Sequence, residues 1–177
     1  MTKTIEYSII PSEIAFHALT TSLYTDRLKA PVREILSNAI DAHNRAKNAR
    51  AIEIKVPTAL DPQFRIRDFG TGLAKEDMHR LYSSLFSSDK NLVRDNEVGG
   101  FGVGAKSPFA YTDAFTVESY FNGTHTIYSA FMEGAKAPTL LELFQETTNE
   151  PNGLAVSYPV TKKDQAARHA IVKKEVT

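Results

Sequence analysis

An uninterrupted helical pattern from about Pro31 to Asn48 is the part of this sequence that most constrains the fold. Proline suits the first helical position, because its missing N–H would have had no partner there. At about 100° per residue, Glu34, Asn38 and Asp41 fall within an arc of about 60° on the helix surface. The apolar side chains point elsewhere, toward a core, and they are Ile35, Leu36, Ala39 and Ile40. The helix therefore presents an apolar side for packing and a separate polar stripe.

The polar stripe has two interpretations. It fits ordinary solvated surface, because other polar residues share that side of the helix: Arg33, Ser37, Asn44 and Asn48. It also fits a row of ligand-binding groups, since Glu34, Asn38 and Asp41 offer a carboxylate, an amide and a second carboxylate in one line. The helix alone favours solvated surface, so the choice depends on the rest of the sequence.

The remaining segments predict a two-layer α/β sandwich. Alternating apolar and polar residues predict strands at 4–10, 51–56, 64–68, 114–121, 124–132 and 154–160, with a further one near 140–144. Further helices are predicted at 12–19 and 75–81 and in the basic tail at 161–177. Asn122-Gly123 is a strong signal for a two-residue hairpin. Helices on one face of a mixed, mostly antiparallel sheet are the natural packing for this order.

Length and composition indicate one globular domain over residues 1–177. Hydrophobic residues make up 42% of the chain and charged residues 24%, as in ordinary folded proteins. The formal net charge is zero, so there is no global electrostatic signal for nucleic acid. The absence of cysteine excludes disulfides and thiol catalysis. No apolar segment approaches the ~20 residues of a membrane span and no signal sequence is evident, so we expect a cytoplasmic location.

A tight glycine turn, Asp68-Phe-Gly70-Thr-Gly72, follows the strand predicted at 64–68. An aspartate at the end of a strand needs a hydrogen-bond donor, because burying an unpaired carboxylate is costly. The exocyclic amine of a bound base would serve as that donor. The alternative is an Asx-type turn in which Asp68 accepts from its own backbone, and the turn alone slightly favours it.

A second glycine cluster spans residues 99–107, with the sequence GGFGVGAKS. Its glycines allow the backbone to approach a ligand closely, and the helix predicted from Gly104 would point its positive end at the same place, which makes an anion site. The P-loop spacing fails by one residue, because Ala105 lies between Gly104 and Lys106. The dinucleotide fingerprint also fails, because the cluster follows a loop rather than a strand. A flexible hinge is the less favoured alternative.

Two further observations bear on the chemistry. Residues 83–100 are polar and without a clear period, and a loop of this length inside a compact domain is usually a lid, a binding loop or disordered. The five histidines show no metal-ligand spacing such as His-x3-His. Each histidine is therefore interpreted as a surface or core residue.

Taken in order, Glu34-x3-Asn38-x2-Asp41 on a helix, Asp68-x-Gly70-x-Gly72 and the later glycine cluster resemble the Bergerat-fold (GHKL) ATPases. That group contains gyrase B, the heat-shock-90 chaperones, histidine kinases and MutL. The resemblance implies a Bergerat α/β sandwich that binds ATP and Mg²⁺. It implies Glu34 as the general base for the attacking water, Asn38 as a Mg²⁺ ligand and Asp68 as the group that reads the adenine amine.

The same resemblance implies the remaining binding residues. Asp41 would lie beneath the nucleotide, and the first turn would shape the base pocket through Gly70, Gly72 and Leu73. Residues 83–98 would form the ATP lid. The phosphate cradle would consist of Gly99, Gly100, Phe101, Gly102, Val103, Gly104, Lys106 and Ser107.

A closer resemblance, covering most of residues 20–165, is to the rapid-lysis rIIA proteins of T4-like bacteriophages. It is carried by Leu23-Tyr24-Thr25, Val32-Arg33-Glu34, Asp41-Ala42-His43, Arg67-Asp68-Phe69-Gly70 and the run at 99–113. The chain departs from the wider ATPase family where Gly153-Leu154 replaces the Gly-Thr of the third motif. A second departure is that related ATPases take a γ-phosphate-sensing cation from a following domain, for which Lys106 or Lys90 would have to substitute in part.

Two hypotheses of function follow from these resemblances. The first is an ATP- and Mg²⁺-binding domain with slow ATPase activity, in which nucleotide closes the lid and promotes association. The second is a nucleotide-gated binding module without meaningful turnover, acting in phage lysis control or host interaction. The expected ligands are ATP and ADP, and the expected partners are a second copy of the chain in a nucleotide-dependent homodimer and a protein still to be identified.

Overall fold

The computed structural model describes residues 25–83, 104–132 and 138–176. Its helices are α1 (Lys29–Ala46), α2 (Lys75–Ser83) and α3 (Gln165–Glu175), with two 3-10 helices, η1 (Gly104–Ala110) and η2 (Lys162–Asp164). Its strands are β1 (Glu53–Lys55), β2 (Gln63–Arg67), β3 (Ala114–Phe121), β4 (Thr124–Phe131), β5 (Thr139–Thr147) and β6 (Gly153–Pro159). The strand predicted at 4–10, the helix at 12–19 and the lid beyond Ser83 lie outside the described residues. Among the helices described, none is long and apolar enough to cross a bilayer.

The six strands form one sheet in the order β1-β2-β6-β3-β4-β5, and every neighbouring pair is antiparallel. Cross-strand partners share a face of the sheet, so the pairs Phe64–Tyr158 and Val117–Val156 place apolar side chains on the same side. The helices cover that side, and α1 contributes Val32, Ile35, Leu36 and Ala39 to the core. The predicted two-layer α/β sandwich is confirmed.

The β3–β4 hairpin matches its prediction, whereas β5 is longer than predicted. Asn122 and Gly123 both have positive φ, 49° and 78°, as a type I′ turn requires. β5 runs from Thr139 to Thr147 rather than over 140–144. A register shift opposite Ile127 and Tyr128 leaves Leu143 of β5 unpaired. Such a bulge interrupts the alternation by which a strand is recognised in a sequence.

α1 is offset by two residues from its predicted bounds at both ends. Asp26 Oδ1 accepts hydrogen bonds from the N–H groups of Leu28 (3.1 Å) and Lys29 (2.9 Å), so the helix begins before the proline. Lys47 has a left-handed backbone with φ of 50°, which ends the helix before 48. Ile40 was predicted to face the core but is 51% exposed, so that prediction is wrong.

α3, the helix predicted in the basic tail, packs onto the beginning of α1. The Arg168 side chain is fully buried, and its guanidinium carbon lies 4.9 to 5.4 Å from the ring centres of Phe64, Tyr111 and Tyr158. Arg168 donates a hydrogen bond to the Leu28 carbonyl, just before α1. Glu175 pairs with Lys29 at 3.0 Å and with Arg33 at 3.4 Å. One basic residue of the predicted tail is therefore part of the core.

Candidate functional site

The polar stripe of α1 meets the beginning of η1. Glu34 is half-buried and Asn38 is exposed. A Cβ atom added to Gly104 would lie 2.8 Å from Glu34 Oε2 and 3.7 Å from Asn38 Nδ2. Any side chain at 104 would therefore displace the carboxylate. The backbone of the second glycine cluster approaches two residues of the stripe at this point, so the structure brings the two motifs together.

Asp68 lies at the end of β2 and is only 6% exposed. Its Oδ1 accepts hydrogen bonds from the backbone N–H groups of Gly70 (2.9 Å) and Leu154 (3.2 Å). Burial raises the pKa of Asp68, while these two N–H donors oppose the rise. The bond from Gly70 is the Asx-type turn that was weighed as an alternative. It engages one carboxylate oxygen, and none of the hydrogen bonds described within the resolved ranges ends on Oδ2.

The turn after Asp68 is held at three points against α1 and the segment that directly follows it. A Cβ atom on Gly70 would lie 2.5 Å from the Ala42 Cβ and within 2.9 Å of the Ala42 backbone, so the two chain segments touch directly. The Phe69 N–H donates to Nε2 of His43 at 2.7 Å. The Asn48 side-chain amide donates to the Phe69 carbonyl, also at 2.7 Å. The first glycine turn and α1 therefore share one backbone interface.

The same turn continues onto β3 and β6. Gly72 has φ of +68°, and a Cβ there would overlap the Tyr120 carbonyl oxygen. The Leu73 carbonyl accepts a hydrogen bond from Ser119 Oγ at 2.7 Å. Gly153, the glycine of the third motif, has φ of +143° and lies against the Asp68 carbonyl. Glycine is needed at 72 and 153 because these backbone conformations strain any other residue.

Lys106 and Ser107 of η1 are both buried. The Lys106 ammonium donates to the Leu81 carbonyl at 2.7 Å, and burial lowers the pKa of this lysine to about 8. Ser107 Oγ is buried without a hydrogen-bond partner among the described residues. A direct phosphate contact by either side chain stays a prediction. The rest of the predicted cradle, residues 99–103, lies outside the described residues.

Asn38 and Asp41 are the residues predicted to bind the metal and to form the pocket floor. Asp41 is half-buried one turn after Asn38 on α1. In the ranges that the structure covers, no cluster of three or more His, Asp or Glu could by itself hold a metal ion. Mg²⁺ usually takes one or two protein oxygens and completes its shell with water and phosphate. The exposed amide of Asn38, beside a half-buried carboxylate, fits that type of site.

Three contacts of the site were not predicted from the sequence. His43 was interpreted as a surface or core residue, Asn48 was counted among the polar residues on the solvated side of the helix, and Leu154 was noted only as the replacement for a threonine. Each forms a hydrogen bond with the turn at 68–70 from a distant position in the chain. In every case one partner is a backbone group and the other is a side chain. The only signal was the position of His43, directly after the Asp41-Ala42 pair.

Replacing Gly70 with alanine should destabilise the fold by about 1–3 kcal/mol, because the added methyl group overpacks the contact with Ala42, and it should also weaken ATP binding. Thermal unfolding and calorimetric titration measure the two effects. Gly123→Ala is the matched control: its φ of +78° makes alanine strained, but the nearest neighbour of the added methyl group would be the Thr148 carbonyl oxygen at 3.8 Å, which does not belong to the turn. That variant should lose stability and keep its affinity. Equal affinity in the Gly70 variant would contradict the prediction.

Comparison with known proteins agrees with this geometry. The sequence model for the family described as "Histidine kinase-, DNA gyrase B-, and HSP90-like ATPase" matches residues 26–152. The chaperone protein HtpG of Rickettsia typhi is 31% identical in an alignment 135 residues long that covers 64% of this chain and 22% of that protein. HtpG of Chlorobium phaeobacteroides is 28% identical in an alignment 160 residues long that covers 77% of this chain and 25% of that protein. The chain thus spans about a quarter of the length of these relatives. Because the family match covers most of the chain, including α1 and both glycine turns, the chain belongs to the histidine kinase-, DNA gyrase B- and HSP90-like ATPase family.

Proposed function

We propose that this domain binds ATP together with Mg²⁺ and hydrolyses the ATP slowly. The observation that carries the proposal is the close approach of Gly104 to Glu34 and Asn38. It joins the phosphate-side glycine cluster to a carboxylate and an amide on one helix. Glu34 takes a proton from the attacking water, and Asn38 would hold the Mg²⁺. When bound, the metal would supply positive charge that offsets the negative charge developing on the phosphate oxygens.

At the other end of the site, Asp68 accepts a hydrogen bond from the exocyclic amine of adenine. Support comes from its burial and from the two hydrogen bonds that both end on Oδ1. Gly70, Gly72 and Leu73 shape the base pocket, and Asp41 lies at its floor. Leu154 occupies the position of the threonine in the related proteins. Its backbone N–H donates a hydrogen bond to Asp68, so the backbone supplies a hydrogen bond at this position.

A nucleotide-gated binding module without meaningful turnover is the second candidate. Two observations favour it: the Lys106 ammonium is bound to the Leu81 carbonyl inside the protein, and leucine occupies the third-motif position. In both candidate functions residues 83–98 close as a lid over the nucleotide and promote a homodimer or the binding of another protein. The resemblance to rIIA proteins supports a setting in phage lysis control or host interaction.

Calorimetric titration with ATP, ADP and GTP in the presence of Mg²⁺ tests nucleotide binding. ATP and ADP should bind with one site per chain, and GTP should bind at least tenfold more weakly because its six-position carbonyl cannot donate to Asp68. Chelating the Mg²⁺ should weaken ATP binding more than adenosine binding. If none of the three nucleotides binds, both candidate functions fail together.

A further inference from the structure

A buried histidine outside the ATPase motifs contacts the backbone beside Asp68. The His43 side chain belongs to α1 and the residue is 8% exposed. Its Nε2 accepts the Phe69 N–H at 2.7 Å. A backbone N–H can only donate, so Nε2 is the unprotonated nitrogen and Nδ1 carries the proton. The contact thus defines both the tautomer of His43 and the direction of the Phe69 peptide group.

The remaining groups of Phe69 are held as well. Its carbonyl accepts from Asn48 Nδ2 at 2.7 Å. The residue is 2% exposed, and the centre of its ring lies 3.5 Å from the guanidinium carbon of Arg50 and 4.6 Å from that of Arg67. The residue between Asp68 and Gly70 is therefore fixed through its N–H, its carbonyl and its side chain.

This arrangement restrains the backbone next to Asp68, whose carboxylate itself accepts from Gly70 and Leu154. The peptide that joins Asp68 to Phe69 carries the N–H that His43 accepts, so a rotation of that peptide would turn the Asp68 backbone and redirect its side chain. Binding groups must be held within about 0.5 Å and 10–20° of their productive geometry. The neutral acceptor on His43 supplies that restraint from α1, the helix that also carries Glu34 and Asn38.

We propose that His43 is a positioning residue for base recognition. Asn48 holds the same backbone segment through its hydrogen bond to the Phe69 carbonyl. The inference rests on the proposed function, because it assumes that Asp68 reads the exocyclic amine of adenine. A histidine that merely filled space would have no effect on the choice of base. A histidine that positions Asp68 alters the preference for adenine over a base without the amine.

The test compares ATP with inosine triphosphate, which has the same sugar and phosphates but a carbonyl in place of the amine. Calorimetric titrations give the ratio of the two dissociation constants for wild type, His43→Leu and His43→Gln. Leucine fills the volume without an acceptor, whereas glutamine places an amide oxygen near the position of Nε2. We expect a preference for ATP of at least tenfold in wild type, a reduction of that preference by fivefold or more in His43→Leu, and recovery to within twofold in His43→Gln.

A second pair of variants covers the case in which His43→Leu does not fold. Asn48→Asp removes the donor to the Phe69 carbonyl but keeps an oxygen for the Arg50 N–H, which Asn48 Oδ1 accepts at 3.0 Å. It should lower the ATP preference about threefold. Asn44→Asp changes the charge equally at an exposed site in the last turn of α1 and should leave the preference unchanged.

The outcomes separate the inference from the function on which it rests. If wild type binds ATP and inosine triphosphate equally, base reading by Asp68 fails and the inference fails with it. If wild type discriminates and His43→Leu discriminates equally, base reading stands and positioning by His43 is overturned. Equal weakening of both nucleotides in His43→Leu also overturns it, as does a loss of preference in His43→Gln as large as that in His43→Leu.

Discussion

Replacing Glu34 with alanine is expected to lower the rate of ATP hydrolysis by about 100-fold or more while changing ATP affinity by less than threefold. A positioned general base contributes about 10²–10⁴-fold to a rate, and Glu34 is the half-buried carboxylate beside Gly104 and Asn38. Removing it takes away a proton acceptor without removing a group that holds the base or the metal. Phosphate release at saturating ATP, measured beside a calorimetric titration, separates the two effects.

Two further variants make this result interpretable. Glu34→Gln keeps the size of the side chain next to Gly104 and should be as inactive as the alanine variant, since an amide cannot take the proton. Glu76→Gln neutralises an exposed carboxylate at the beginning of α2 and should retain the wild-type rate. If wild type releases phosphate no faster than Glu34→Ala while both bind ATP equally, the domain is a nucleotide-gated binding module and not an ATPase.

The fold could be predicted because its main elements have clear local patterns. α1 shows the helical period, and Asn122-Gly123 matches the turn that joins β3 to β4. β5 was underestimated because the bulge at Leu143 breaks its alternation. The burial of Arg168 could not be predicted, since a basic residue in a charged helix usually faces solvent. Only the three rings from distant segments and the Leu28 carbonyl explain its position.

Site residues that belong to a recognisable motif could be predicted from the sequence. Residues that support the site only through tertiary contacts could not. Glu34, Asn38 and Asp68 were singled out by residue type and spacing, and Gly104 does approach the first two. Base recognition and turn formation by Asp68 were treated as alternatives that exclude each other. The structure allows both, because Oδ1 forms the turn without using Oδ2. His43 and Phe69 are 26 residues apart, so no spacing rule connects them.

Replacing Asp68 with asparagine is expected to weaken ATP binding by about 10- to 100-fold, the range associated with one hydrogen bond to a charged group. The asparagine oxygen can still accept from Gly70 and Leu154, so the turn keeps its shape. Its amide nitrogen then occupies the other carboxylate position and presents a donor to the adenine amine, which is also a donor. Calorimetric titration measures the loss, and Asp113→Asn, at an exposed position, serves as the control that should bind normally.

The same substitution should leave the unliganded fold as stable as wild type or more stable near neutral pH. Burial raises the pKa of Asp68, so its charged form is less favourable in the folded state than in the unfolded chain. That unfavourable contribution is present above the raised pKa and disappears as the pH falls through it, because the folded protein then takes up the proton. Thermal unfolding of both proteins over a pH series should therefore show an advantage of the variant that shrinks on acidification. A variant that is less stable at neutral pH and binds ATP as tightly as wild type would show that Asp68 serves the turn and not the base.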